Sequence, residues 1–136
     1  MSAATDSPLA AAHGAPMIFV VDDEPVSADI VAELLQLEGY RTRVFHDSQM
    51  AAEALANSPV KPDMLLADFK MPGLNGLQLL ARGKSEIQGL KTILLSGMAS
   101  DLMQGENEFH PDLCVSKPFP VATLLKSVRT ALLSPN

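Results

Sequence analysis

The sequence predicts one α/β domain, a doubly wound, five-stranded parallel sheet with helices on both faces. Three observations lead there. Short, continuous apolar runs recur along the chain, as strands buried on both faces require. The segments between them space apolar residues at helical intervals and are joined by short connections. The chain has 136 residues, room for one domain at ~100–200 residues each.

Residues 1–16 are rich in Ala, Ser, Pro and Gly and read as a flexible tail. A signal peptide would need a basic start and a continuous apolar stretch, and neither is present. Met17–Val21 (MIFVV) is the first strand. Pro25 stands where a first helical residue needs no N–H, and Val26–Glu38 follows as a helix with Val26, Ile30, Leu34 and Leu37 inward. Gly39 is its stop. Arg41–Phe45 is a more polar strand suited to a sheet edge. Ser48–Asn57 is a helix with Ser48 as N-cap and Met50, Ala51, Ala54 and Leu55 inward. Met64–Phe69 is the third strand, and the turn formers of residues 71–76 follow it. Leu77–Ile87 is helical in pattern, although Gly83 weakens it by roughly 1 kcal/mol relative to Ala. Thr92–Leu95 and Leu113–Ser116 complete the sheet, with a weakly specified helix over Ser100–His110 between them. Val121–Leu133 closes the domain, with Val121, Leu124, Leu125, Val128 and Leu132 inward. The domain thus runs over residues 17–133, and residues 134–136 form a short tail.

Charge narrows the function. Ten Lys and Arg stand against 16 Asp and Glu, a formal net charge of -6. Such a surface lacks the basic stripe of a nucleic-acid binder and the polybasic patch of a membrane-surface module. No run of about 18 apolar residues occurs, so no membrane span is expected. The single cysteine, Cys114, excludes an intramolecular disulfide framework and fits a reducing, cytoplasmic setting.

In a parallel α/β sheet, ligands bind outside the carboxyl ends of the strands. The first strand ends in Asp22-Asp23-Glu24, the third in Asp68, the fourth in Ser96 and the fifth in Lys117. Any one of these alone would be an ordinary helix cap or surface group. Together they are chemically matched. Clustered carboxylates repel unless a hard cation neutralises them, and oxygen ligands of this kind suit Mg2+. A divalent ion, an amine and a hydroxyl around one carboxylate form an apparatus for phosphoryl transfer.

These strand ends carry four motifs: Val20-Val21-Asp22-Asp23-Glu24-Pro25, Leu65 to Pro72 (LLADFKMP) with Gly76, Leu94-Leu95-Ser96-Gly97 and Ser116-Lys117-Pro118-Phe119. In this order and spacing the chain resembles the CheY-like receiver domains of two-component response regulators, over about Met17 to Leu133. The resemblance implies a flavodoxin-like strand order of 2-1-3-4-5 and a bacterial signalling role. It implies that Asp68 accepts a phosphoryl group from phosphohistidine. Asp22, Asp23, Asp68 and the backbone carbonyl of Lys70 would hold Mg2+. Ser96 would be the switch hydroxyl and Lys117 the phosphoryl-pairing lysine, its bond to Pro118 commonly cis in the family. The implied donors are a sensor histidine kinase or a histidine phosphotransfer protein. Because the last helix ends three residues before the chain does, a stand-alone receiver is expected, either monomeric or dimerising on phosphorylation. It would be no enzyme beyond forming and hydrolysing its own acyl phosphate.

One family feature is missing: Cys114 stands where the family usually has an aromatic switch residue, so a modified output mode is expected. Lys70 and Met98 occupy positions that tend to govern acyl-phosphate lifetime in the family. A phosphatase of the haloacid-dehalogenase type is the alternative, but it needs a second Asp where Lys70 stands. A receiver that works without phosphorylation is disfavoured because every acidic-site residue is present. Cys114 reads as a small buried residue, the three His as surface or capping groups, Met64, Met71, Met98 and Met103 as filler, and Lys126 and Arg129 as a solvated face.

Overall fold

A computed structural model describes residues 14–97 and 109–135. Its elements are β1 (Met17–Val21), α1 (Pro25–Leu37), β2 (Arg41–Phe45), α2 (Ser48–Asn57), β3 (Met64–Asp68), α3 (Gly76–Glu86), β4 (Lys91–Ser96), β5 (Leu113–Ser116) and α4 (Val121–Leu133). The strands form one parallel sheet in the order β2-β1-β3-β4-β5, as expected. The helix expected over Ser100–His110, with Met98 and Met103, lies outside the described residues save for its last two positions.

Period-2 alternation divides the sheet between two cores. Phe19, Val21, Leu65, Ala67 and Leu94 face the layer holding Ala51, Leu55, Leu77 and Leu80 of α2 and α3. Ile18, Val20, Leu66, Ile93, Leu95 and Val115 face Ala28, Leu35, Leu124 and Val128 of α1 and α4. The central strands β1, β3 and β4 are buried along their whole length, while β2 is half-buried at the edge its polar sequence suggested.

The helix faces need correction. The α1 residues buried against the sheet are Ala28, Val31, Ala32 and Leu35. Val26, Ile30 and Leu37 are exposed, and Leu34 is only partly buried. Two apolar stripes run along this helix, and the one containing alanines wins because small side chains let the helix lie close to the sheet. In α2, Met50 is exposed and Ala54 only partly buried, while Ala52 joins Ala51 and Leu55 inside. In α4, Val121 is exposed, Leu125 and Leu132 are partly buried, and Ala131 is enclosed with Leu124 and Val128.

Helix ends differ by single residues. Asp47, not Ser48, caps α2: its carboxylate accepts the N–H groups of Gln49 and Met50 at 2.7 and 3.1 Å. A carboxylate one residue upstream has the better geometry, which leaves the Ser48 hydroxyl free for other work. The α3 helix starts at Gly76 behind a capping box between Asn75 and Gln78. Gly39 ends α1 as expected, with φ 95°.

The amino-terminal edge of the sheet is fastened by side chains. Asp63 accepts the Met17 N–H at 2.8 Å. The buried Lys91 ammonium donates to the carbonyls of Ser134 and Pro135 at 2.7 and 3.3 Å, just past the end of α4. Asp112 accepts both the N–H and the hydroxyl of Thr92, at 2.8 and 3.0 Å, and Lys84 approaches it at 3.3 Å. Burial pushes the Asp112 carboxyl up, but the Thr92 hydrogen bonds and the Lys84 charge outweigh it and hold it below the ordinary carboxylate value. A depressed folded pKa gives stability that is fully present above the unfolded value, ~3.9, and lost as pH falls through the folded one. Asp112→Asn should therefore cost about 1 kcal/mol at pH 7, a figure already reduced for solvent screening. Thermal melts of both proteins should converge once pH falls below the depressed folded value; a gap that persists there would refute the ionic origin.

Candidate functional site

The order 2-1-3 makes a switch point where β1 and β3 lie side by side with crossovers leaving to opposite faces. Asp22 follows β1 directly. Its N–H extends the ladder to the Phe45 carbonyl at 3.1 Å, and its carboxylate accepts the Glu24 N–H at 3.0 Å, which turns the chain into α1. Asp68 is the last residue of β3, and Phe69 continues the ladder to the Leu95 carbonyl at 2.9 Å. Ser96 ends β4, where its carbonyl accepts the Lys117 N–H at 2.7 Å. Register thus brings Ser96 beside Asp68 and draws Lys117 in from the edge strand.

Asp22, Asp68 and Ser96 are buried, at 3%, 8% and 4% exposure, whereas Asp23 is open to solvent. The Lys117 ammonium is in direct contact with the Asp68 carboxylate and lies 3.9 Å from Asp22. The Lys117–Pro118 peptide is cis. Carboxylate oxygens of Asp22, Asp23 and Asp68 lie within 4.8 Å of one another, the one such acidic group among the described residues. Burial raises the Asp22 pKa; the Asp68 and Asp23 charges push it further up, against the Glu24 N–H and the Lys117 ammonium, which lower it. Mutually repelling oxygen donors of this kind, two of them buried, fit a hard divalent cation.

The loop after β3 shapes the other side. Lys70 is exposed and shares an open groove with Asp23, Met71, Pro72 and Asn75. Phe69 accepts the Gly76 N–H at 2.9 Å, which folds residues 69–76 into a closed turn. Gly76 packs so close under the site that a methyl there would lie 2.4 Å from the Asp68 carbonyl oxygen.

Thus Asp22, Asp23, Asp68, Ser96 and Lys117 converge, and Lys70 borders them. Cys114 does not behave as expected: it is exposed, because β5 turns its odd neighbours Leu113 and Val115 toward the core. His46 is an exposed partner of Asp29 at 3.5 Å and His110 is exposed, consistent with surface roles. His13 lies outside the described residues. Met64 and Met71 are buried filler, and Lys126 and Arg129 are exposed. Sequence reasoning named Ser48 only as a cap and Gly76 only within a motif, and missed the contacts both make with the loop and strand end of the site. The small residue at Gly76, opening a helix just after an acidic strand end, was the available signal.

The sequence matches the family described as "Response regulator receiver domain" over residues 18–129. Among curated relatives, the probable transcriptional regulatory protein TcrX of Mycobacterium tuberculosis is 32% identical over 124 residues, covering 89% of this chain and 52% of its own. Sporulation initiation phosphotransferase F of Bacillus subtilis is 26% identical, covering 85% of this chain and 92% of its own. The chain spans about half the length of the first transcriptional regulators it matches. Among solved structures, the response regulator protein TrrA of Thermotoga maritima, in complex with Mg2+ and BeF, is 28% identical. It superposes with a TM-score of 0.76 over 87% of this chain and 99% of its own. A signal receiver domain from Pseudomonas fluorescens is likewise 28% identical, with a TM-score of 0.77 over 87% and 94% of the two chains. The acidic cluster, the sheet order and the match over residues 18–129 agree, and the chain belongs to the receiver-domain family of two-component response regulators.

Proposed function

We propose that residues 17–133 form a phosphoacceptor switch in which Asp68 takes a phosphoryl group from phosphohistidine. The observation behind this is the Lys117 ammonium set directly against Asp68, inside the carboxylate cluster. An Asp68 oxygen attacks phosphorus as the bond from phosphorus to the imidazole nitrogen breaks. The imidazole leaves and the acyl phosphate remains. Lys117 offsets charge on the moving phosphoryl oxygens, and the buried Ser96 hydroxyl then holds one of them. Asp22, Asp23, Asp68 and the Lys70 carbonyl would hold Mg2+, which supplies charge neutralisation when bound.

The donor is a sensor histidine kinase or a histidine phosphotransfer protein. The domain acts on itself alone, forming and hydrolysing its own acyl phosphate. No helix among the described residues is long and apolar enough to cross a membrane, and the reducing context suggested by the lone Cys114 supports a cytoplasmic setting. A dehalogenase-type phosphatase is not favoured, since Lys70 stands where that chemistry needs its second Asp.

The test is incubation with Mg2+ and acetyl phosphate. A base-labile phosphoryl adduct should form on the wild type and be absent from Asp68→Asn. No adduct on the wild type from acetyl phosphate or kinase donors, or an adduct retained in Asp68→Asn, would overturn the assignment.

A further inference from the structure

Ser48 is 2% exposed, and its hydroxyl makes no bond within its own helix. It donates to the Pro72 carbonyl at 3.0 Å and accepts the Leu74 N–H at 3.1 Å, joining the start of α2 to the loop after β3. One oxygen thus serves a donor and an acceptor two residues apart in another element. Gly73 sits between those two contacts at φ 78°, and a methyl added there would lie 3.3 Å from the Ser48 oxygen. The loop is also held by the Phe69 backbone bonds at one end, by the Asn75–Gln78 capping box at the other, and by Met71, which is buried in the core with Phe69 and Leu74 packed against it. Lys70 lies in the span between Phe69 and Pro72, so the Ser48 hydroxyl closes the far end of the segment that carries it.

We infer that Ser48 is a positioning residue for the cation site, fixing the loop that presents the Lys70 carbonyl. This rests on the Mg2+ reading above. Without the hydroxyl, Pro72 and Leu74 each lose a partner and the loop samples conformations in which the carbonyl is not aligned. Metal affinity then falls because ordering must accompany binding.

Calorimetric titration with Mg2+ alone tests this on the wild type, Ser48→Ala, Gly73→Ala and Asp47→Ala. The Kd should weaken about threefold to tenfold in Ser48→Ala, at or below the usual range for groups that orient metal ligands. Gly73→Ala disturbs the same contact from the loop side and should weaken it similarly, which also serves if Ser48→Ala does not fold. Asp47→Ala removes the α2 cap without touching the loop; it should lower the melting temperature yet keep Kd within about twofold. Amide exchange at Leu74 should speed up in Ser48→Ala and not in Asp47→Ala. Equal Kd values in the wild type, Ser48→Ala and Gly73→Ala would overturn the inference while leaving the Mg2+ site intact. So would an equal weakening in Asp47→Ala. A wild type that does not bind Mg2+ would overturn the cation reading itself, and the role of Ser48 with it.

Discussion

Lys117→Ala should slow phosphoryl uptake from acetyl phosphate by about 100-fold at saturating Mg2+, the usual effect of deleting one preorganised charge-stabilising donor. The ammonium contacts Asp68 and faces Asp22 3.9 Å away, so one positive charge answers two buried carboxylates. Its loss also removes one of the two influences that hold the Asp22 pKa down, which deepens the repulsion within the cluster. Lys117→Arg should recover little. A guanidinium is a planar fork, and it replaces a compact charge whose backbone is fixed to Ser96. Phosphate-affinity electrophoresis over time, with Mg2+ varied, gives the rates. Uptake by Lys117→Ala at the wild-type rate would remove the ammonium from the transfer step.

The largest loss of stability should come from Gly76→Ala. The added methyl would stand 2.4 Å from the Asp68 carbonyl oxygen, 2.9 Å from its carbonyl carbon and 2.8 Å from the Leu94 side chain. The first two are backbone atoms at the end of a buried strand and cannot step aside alone. The start of α3 must move, or the end of β3 must, and a cost of about 3 kcal/mol follows. Gly83→Ala is the control within the same helix. There the methyl would meet the ends of the Leu90, Leu65 and Leu55 side chains, at 2.8, 2.9 and 3.6 Å. These are side-chain ends rather than backbone, so their shift within the core is offset in part by about 1 kcal/mol of helix propensity that Ala gains, and the loss should be smaller than at Gly76. Denaturant unfolding of the two variants gives the comparison. Equal losses would show that α3 is not held against Asp68 in the way the geometry implies. Gly76→Ala should also phosphorylate poorly even where it remains folded, since the displaced strand end is Asp68, the proposed phosphoacceptor.

Strand positions and the acidic site were legible because they rest on short-range signals: apolar runs, turn formers and the residue that ends each strand; the sheet order came only from the family resemblance. Asp22, Asp68, Ser96 and Lys117 could be found without knowing any contact, since strand ends in a parallel sheet share one edge. Helix orientation was not legible in the same way. In α1 the larger side chains Val26, Ile30 and Leu37 form the more conspicuous stripe, yet Ala28 and Ala32 face the sheet. Only the distance between helix and sheet decides that choice, and a single sequence does not hold it. Ser48 was misread for a related reason. Its partners lie 24 and 26 residues away, while its local position suggested a cap that Asp47 supplies.

The two rims of the sheet do different work. At the amino-terminal rim, Asp63 and Asp112 spend their charges on N–H groups at the start of β1 and β4, and Lys91 ties β4 to the end of the last helix. At the carboxyl-terminal rim, Asp22, Asp68 and Lys117 face one another instead. Charged side chains thus serve the backbone at one end of the strands and one another at the other end. On the proposed reading, exchanging a charged side chain of the acidic rim would alter the handling of the phosphoryl group while leaving the ties at the opposite rim in place.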